Sequence, residues 1–389
     1  MRKKVIAMVC ALTGAVSLVS GCGTADQSGS ETSEAAMRDM TAVAYAKDMG
    51  MGINLGNTME AFWEDTANET GGCMTIGENT PENYETCWGA VVTTKECIDG
   101  YQEAGFRTVR IPVYWGNMMV DDGTYTISPD YFQRVDELVE YCLEDGLYAV
   151  INIHHYDEFL IKNNEKDEVL SITEHLWTQI AEHYKDYSDY LVFEGFNENL
   201  GSQQESDSYT DDQMYDYVNE MNQTFVNAVR KTGGKNQERM LIVSGYWTNI
   251  DKTTDARFRM PEDTAEDRLM VSVHYIDNAK YWMNQVGNQA WLDYSKDQCE
   301  LLKAAFTDKG IPVFVGECTS IYESTHLARN AEYTDSSECL RQMLDMAVEY
   351  GFVPVLWDVN DNFYSRTEYR IKSESDQRVI TEIAEKINP

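Results

Sequence analysis

Eight short apolar runs recur along the chain: 51–56 (MGINLG), 106–113 (FRTVRIPV), 148–155 (YAVINIHH), 191–198 (LVFEGFNE), 239–246 (RMLIVSGY), 269–276 (LMVSVHYI), 312–318 (PVFVGEC) and 353–359 (VPVLWDV). Each has the length of a buried strand and is rich in the Val and Ile that fit a pleated, packed surface. The segments between them follow a different period. Behind Ser128-Pro129, residues Tyr131, Phe132, Val135, Leu138, Val139, Cys142 and Leu143 recur at helical spacing, and Gly146 closes the segment. That is one buried helix face with a start and a stop. Thr210 with Gln213 forms a capping box ahead of Met214, Tyr217, Val218, Met221 and Phe225. Residues 335–351 and 374–387 also read as helices, whereas 251–268 reads mostly as loop.

Strands buried on both faces and alternating with helices predict a parallel sheet covered by helices. The run starts fall between 30 and 55 residues apart, room for a helix and two loops in most intervals. Eight such units predict an α/β fold of the closed (β/α)8 TIM-barrel type, a single catalytic domain over residues 38–389. No GxGxxG follows the first run, which argues against a dinucleotide-binding sheet.

The first residues set the expected compartment. Arg2, Lys3 and Lys4 precede an apolar stretch, Val5 to Val19, that is short for a membrane span and ends in small residues. Val19-Ser20-Gly21-Cys22 resembles a bacterial lipobox. Residues 1–21 are therefore expected to be a lipoprotein signal peptide, Cys22 the lipidated residue, and 22–37 a flexible tether of small polar residues. The expected product is secreted, anchored by lipid at the outer face of a bacterial cell membrane, and touches the membrane through that anchor alone. Removing residues 1–21 takes away only three charges, all basic, so the net charge moves from −35 to −38. Such a surface repels nucleic acid and polyanionic glycans and is indifferent to neutral ones. A monomer is expected. Of nine cysteines, Cys10 leaves with the signal and Cys22 is lipidated; Cys73 and Cys87 share one loop and are a candidate disulfide, and no CxxC pair suggests zinc.

In a (β/α)8 barrel the active site lies at the C-terminal ends of the strands. Polar residues collect there: Asn57 after run 1, Arg110 in run 2, His154-His155 in run 3, Asn197-Glu198 in run 4, His274-Tyr275 in run 6, Glu317 in run 7 and Trp357-Asp358 in run 8. Charges are expensive to bury unless paired or working, so this convergence predicts a site. Glu198 and Glu317 would face each other across the mouth, as two carboxylates do in glycoside hydrolysis. A gap of about 5–5.5 Å means retention and about 6.5–9.5 Å inversion. Two acids that close are expected to push one pKa up, making that residue the proton donor. Glu194, of the same alternation parity as Glu198, reads as structural. No metal or other cofactor is expected, since His154-His155 lacks further ligands at suitable spacing. Trp63, Trp88 and Trp115 lie in or near mouth-side loops, either as packing or as extensions of a cleft.

Taken in order, Gly52-Ile53-Asn54-Leu55-Gly56-Asn57-Thr58, Val109-Arg110-Ile111-Pro112-Val113, Ile153-His154-His155, Phe196-Asn197-Glu198 and Gly316-Glu317 resemble glycoside hydrolase family 5, the cellulase family of clan A. The N-L-G-N-T opening is most similar to its bacterial endo-β-1,4-glucanases, a group that includes xyloglucan and mixed-linkage glucan hydrolases. The resemblance implies a retaining enzyme with Glu198 as acid/base and Glu317 as nucleophile, acting on β-glucan polysaccharide or oligosaccharide. It further implies Asn197 on the sugar 2-OH, Arg110 beside the nucleophile, His154 and His274 lining the −1 subsite, and Trp357 as a stacking surface. The chain departs from the family pattern at three places. Asn199 replaces the proline of N-E-P, strand 8 reads Trp357-Asp358-Val359-Asn360, and the strand-6 H-x-Y becomes His274-Tyr275-Ile276. Alternation puts Ile276, not Tyr275, on the face of His274; Tyr275 can replace the family tyrosine only if the strand kinks or ends there. Another glycan such as mannan, or a weakened glycan-binding lipoprotein, are the alternative readings.

Overall fold

The runs that are apolar at every position become strands with two covered faces. In the computed structural model they are β1 (Gly52–Asn54), β2 (Thr108–Ile111), β3 (Tyr148–Asn152), β4 (Leu191–Glu194), β5 (Leu241–Ser244), β6 (Leu269–His274), β7 (Val313–Thr319) and β8 (Val353–Trp357). All neighbours pair in parallel and β8 returns to β1, closing the barrel. The structure describes residues 37–62, 78–120, 122–156, 160–161, 164–200, 209–276, 287–319 and 336–387. The expected leader 1–21, Cys22, nearly all of the expected tether, Trp63, Cys73 and with it the candidate Cys73–Cys87 pairing lie outside the described residues. Among the described residues no helix is long and apolar enough to cross a membrane.

The expected helices form. Pro129–Glu144 starts behind Ser128 with proline in its first turn, although the Ser128 hydroxyl makes no capping bond, and Gly146 follows it with φ +67°. Asp211–Lys231 carries the Thr210/Gln213 capping box. Ser336–Glu349 and Glu374–Ile387 occupy the two C-terminal segments, and 251–268 holds only the end of the short helix Ile250–Thr253.

Side-chain alternation divides the core. Ile53, Val109, Ile111, Ala149, Ile151, Leu191, Phe193, Leu241, Val243, Val271 and Val273 pack outward against the helices. Tyr148, Val150, Val192, Met240, Ile242, Met270, Phe314, Val353 and Val355 make a separate cluster inside the barrel, with Ala42, Tyr45, Ala46 and Met49 of the helix Ala42–Met49 plugging its N-terminal end. One layer further toward the C-terminal end, the same inward parity changes character. Asn54, Arg110, Asn152, Glu194 and Ser272 are all buried and bonded to one another across the lumen. The site stands on this polar floor.

Candidate active site

Arg110 on β2 is fully buried and forks four ways. Its Nε donates to Glu194 Oε2 at 2.7 Å, one Nη to Asn54 Oδ1 at 3.0 Å and Glu317 Oε1 at 3.1 Å, and the other Nη to Asn197 Oδ1 at 2.9 Å. Burial works against the cation, but two carboxylates outweigh it and its pKa is raised.

Glu317 reaches the mouth by a break in the strand. It shares parity with Val313 and Val315, which face outward. The β6–β7 register passes from Val273↔Val315 to His274↔Glu317, skipping Gly316, and the β7–β8 register shifts in the same place. This bulge turns Glu317 inward. Gly316 permits it, since a Cβ there would lie 3.1–3.2 Å from His274 Nε2, Ser272 Oγ and Glu194 Oε1.

The same rearrangement answers the question at strand 6. β6 ends at His274, and Tyr275 takes a left-handed conformation with φ +48°. Its hydroxyl donates to Glu317 Oε2 at 2.7 Å, while Ile276 is buried in the core. Simple alternation fails here because the strand has stopped, which lets the Tyr275 hydroxyl reach Glu317.

Glu198 lies beyond β4, on a segment pinned by neutral bonds. Gly195 N–H donates to Ile242 O at 2.9 Å, Phe196 N–H to Ser244 Oγ at 3.0 Å and Asn197 N–H to Ile153 O at 3.2 Å. Asn199, in place of proline, donates its N–H to Asn197 O at 2.9 Å, a bond proline cannot make. The Glu198 side chain keeps 37% exposure and meets His274 Nδ1 at 2.9 Å. One oxygen of Glu198, one of Glu317 and a ring nitrogen of His274 lie within 4.8 Å of one another. Among the described residues only this group has donors close enough to hold a cation, but Arg110 and Tyr275 already occupy both Glu317 oxygens.

Expected crowding of two acids does not lift Glu198 in the resting site. Burial raises its pKa, yet the His274 hydrogen bond and the Arg110 cation outweigh that and hold it below 4.5. Burial, with the Arg110 cation nearby, holds the His154 pKa well below its ordinary value, and burial pulls His155 down to about 4. The His154 ring lies parallel to Trp357 with centroids 6.2 Å apart, and Trp357 is half-buried at the end of β8.

Asn57 is not drawn into this group. It sits in a left-handed turn, φ +60°, with its backbone N–H on Glu60, and among the described residues no hydrogen bond of its side chain is formed. Asn54, three residues earlier, is the strand-1 residue that joins Arg110; its inward parity in an apolar run was the available signal. Trp115 is packing, buried with Nε1 on Asn152 O at 2.8 Å. Trp88 stays half-buried in a ring cluster with Phe62 and His155. Trp247, which no sequence signal singled out, is exposed and lines a cavity of about 150 Å³ with Glu198, His274 and Tyr275.

A family profile described as Cellulase (glycosyl hydrolase family 5) matches residues 63–363. Endoglucanase 1 of Ruminococcus albus is 34% identical over 86% of this chain and 79% of its own length. Among solved structures, a GH5-4 broad specificity endoglucanase from Ruminococcus champanellensis with bound cellotriose superposes with a TM-score of 0.76 at 30% identity, covering 88% of this chain and 99% of that one. A Bacteroides ovatus GH5 xyloglucanase in complex with a XXXG heptasaccharide gives 0.76 at 28% identity over 90% and 78%. By profile, sequence and barrel alike, the chain belongs to glycoside hydrolase family 5, the cellulase family, and is a glycoside hydrolase.

Proposed function

We propose that the chain is a retaining, endo-acting hydrolase of β-1,4-glucosidic bonds in soluble β-glucan of cellulose, mixed-linkage or xyloglucan type. The observation that carries this reading is the approach of Glu198 and Glu317 oxygens to within 4.8 Å. That approach suits the separation of about 5–5.5 Å at which the second acid attacks the sugar itself, and is short for the about 6.5–9.5 Å that leaves room for a water in inversion.

Glu317, held by Arg110 and Tyr275, attacks the anomeric carbon. The bond to the leaving oxygen breaks as Glu198 gives that oxygen a proton. Water then attacks the same carbon, Glu198 takes its proton, and the bond to Glu317 breaks. Sugar binding strips solvent from the partly exposed Glu198 and so raises its proton affinity for the first step. Glycosylation of Glu317 removes a negative neighbour and lowers that affinity for the second. Asn197 Oδ1 is taken by Arg110, which leaves its amide N–H groups for the sugar 2-OH. The His154–Trp357 pair lines the other wall.

The binding-protein alternative rests on a missing tyrosine, and Tyr275 already bonds Glu317. Relatives named endoglucanase and xyloglucanase favour glucan chains over mannan. The lipobox-like Val19–Cys22 supports a lipid-anchored product at the outer face of a bacterial membrane. Reducing-sugar release from barley glucan, xyloglucan and mannan, with the product sizes, tests the substrate. Glu317→Gln is expected to lower turnover on the order of 10⁴-fold; retained turnover ends this reading.

A further inference from the structure

Below the acid pair, at the end of β4, lies a third carboxylate. Glu194 is fully buried. Its Oε2 accepts from Arg110 Nε at 2.7 Å and Asn152 Nδ2 at 3.0 Å, and its Oε1 accepts from Ser272 Oγ at 2.8 Å. Arg110 is thus one cation between two acids, Glu194 on one side and Glu317 at 3.1 Å on the other. A structural acid needs only to be paired. This one is paired with the group that also holds Glu317.

We infer that Glu194 is a positioning residue that sets how much of the Arg110 charge Glu317 feels, and so divides the barrier between forming and breaking the glycosyl–Glu317 bond. The inference rests on Glu317 being the nucleophile. An arginine shared with Glu194 orients Glu317 and leaves its lone pair reactive. An arginine released from Glu194 would hold the Glu317 charge more firmly. Attack on the anomeric carbon would slow, while Glu317 would leave more readily in the second step. The other charged or titratable groups facing this pair are Glu198, His274 and Tyr275 at the mouth and His154 on the β3 side. None of them contacts Glu194 through a hydrogen bond among the described residues.

Glu194→Gln isolates the charge. The amide oxygen can keep the Arg110 and Asn152 bonds, and the amide nitrogen can donate to Ser272 once that hydroxyl turns. The measurement uses the full chain and dinitrophenyl β-cellobioside, for which kcat/KM reports the first step and kcat the second. In E194Q, kcat/KM is expected to fall about 10- to 100-fold and its acidic limb to move about one pH unit lower, with kcat held within about threefold. Equal losses in both parameters with the limb in place would reduce Glu194 to a structural acid and overturn the inference. Should E194Q not fold, Ser272→Ala serves. It strips a donor from Glu194, strengthens its hold on Arg110 and moves the limb upward; a limb that stays put overturns the inference as well. Glu317→Gln in otherwise native protein separates the two ideas, because unchanged kcat/KM there removes the nucleophile itself, whatever E194Q does.

Discussion

Among the described residues two arginines, Arg239 and Arg110, are wholly buried at opposite ends of the barrel, and their partners differ in kind. Arg239, just before β5 at the N-terminal end, spends all five donors on neutral oxygens: Asn236 Oδ1, and the carbonyls of Ser188, Leu191, Tyr184 and Tyr187, at 2.7–3.1 Å. Burial pulls its pKa down to about 10, with Tyr45 and Asp189 offsetting only part of that. Arg110, at the mouth, meets two carboxylates and two amide oxygens, and its pKa is raised. The first is a staple that ties the 184–191 turn to the start of β5. The second is a charge shared between two carboxylates, Glu194 and Glu317. Burial of a charge therefore does not by itself mark a site.

Making the same conservative change at both ends tests the distinction. Arg110→Lys keeps the charge but loses the planar fork, and one ammonium cannot serve Glu194, Asn54, Asn197 and Glu317 together. We expect kcat/KM to fall about 10³-fold, near 4 kcal/mol of transition-state stabilisation. Activity within tenfold of the parent enzyme would mean that the fork is dispensable.

Arg239→Lys should act on stability instead. At least two buried carbonyls lose their donor, at about 1–3 kcal/mol each, so we expect the unfolding free energy to drop by roughly 3 kcal/mol. The kcat/KM of the protein that remains folded should not change. Denaturant melts read the first quantity and active-site-normalised kinetics the second. A kinetic loss rivalling that of Arg110→Lys would erase the contrast between the two ends.

This contrast also explains what was legible in the chain. Arg110, Glu198, Glu317, Asn197, His154 and His274 stand out because a charged or polar side chain at the end of an apolar run needs a reason to be there. Arg239 opens such a run too, yet nothing marks it, since its partners are backbone carbonyls that every residue carries. The eight strands were legible from β-branched runs, and the helices from their period and caps. The inward turn of Glu317 was not, because it depends on a skipped residue in the pairing of β6 with β7, a tertiary event with no local signature beyond Gly316. Asn54 and Glu194 were readable as inward by parity, but their bonds to Arg110 needed the closed lumen.

Tyr275 gives the finest test, because it turns on a single hydrogen bond at a position where alternation predicts the wrong residue. Burial and the nearby Glu317 and Glu198 push the ionisation of its phenol well above 10, so it remains a donor to Glu317 across the working range. Tyr275→Phe removes that donor and little volume. A hydrogen bond to a charged group is worth about 1.5–3 kcal/mol, so kcat/KM should fall about 10- to 100-fold, with the alkaline limb of the pH profile unmoved because the phenol does not titrate there. Adding Ile276→Tyr to Tyr275→Phe recreates the family spacing H-x-Y. It should not restore activity, because residue 276 is buried in the apolar core. Recovery in that double variant would mean that the end of β6 can slip back into simple alternation, and the bulge at Gly316–Glu317 would then be a consequence of Tyr275 and not its cause.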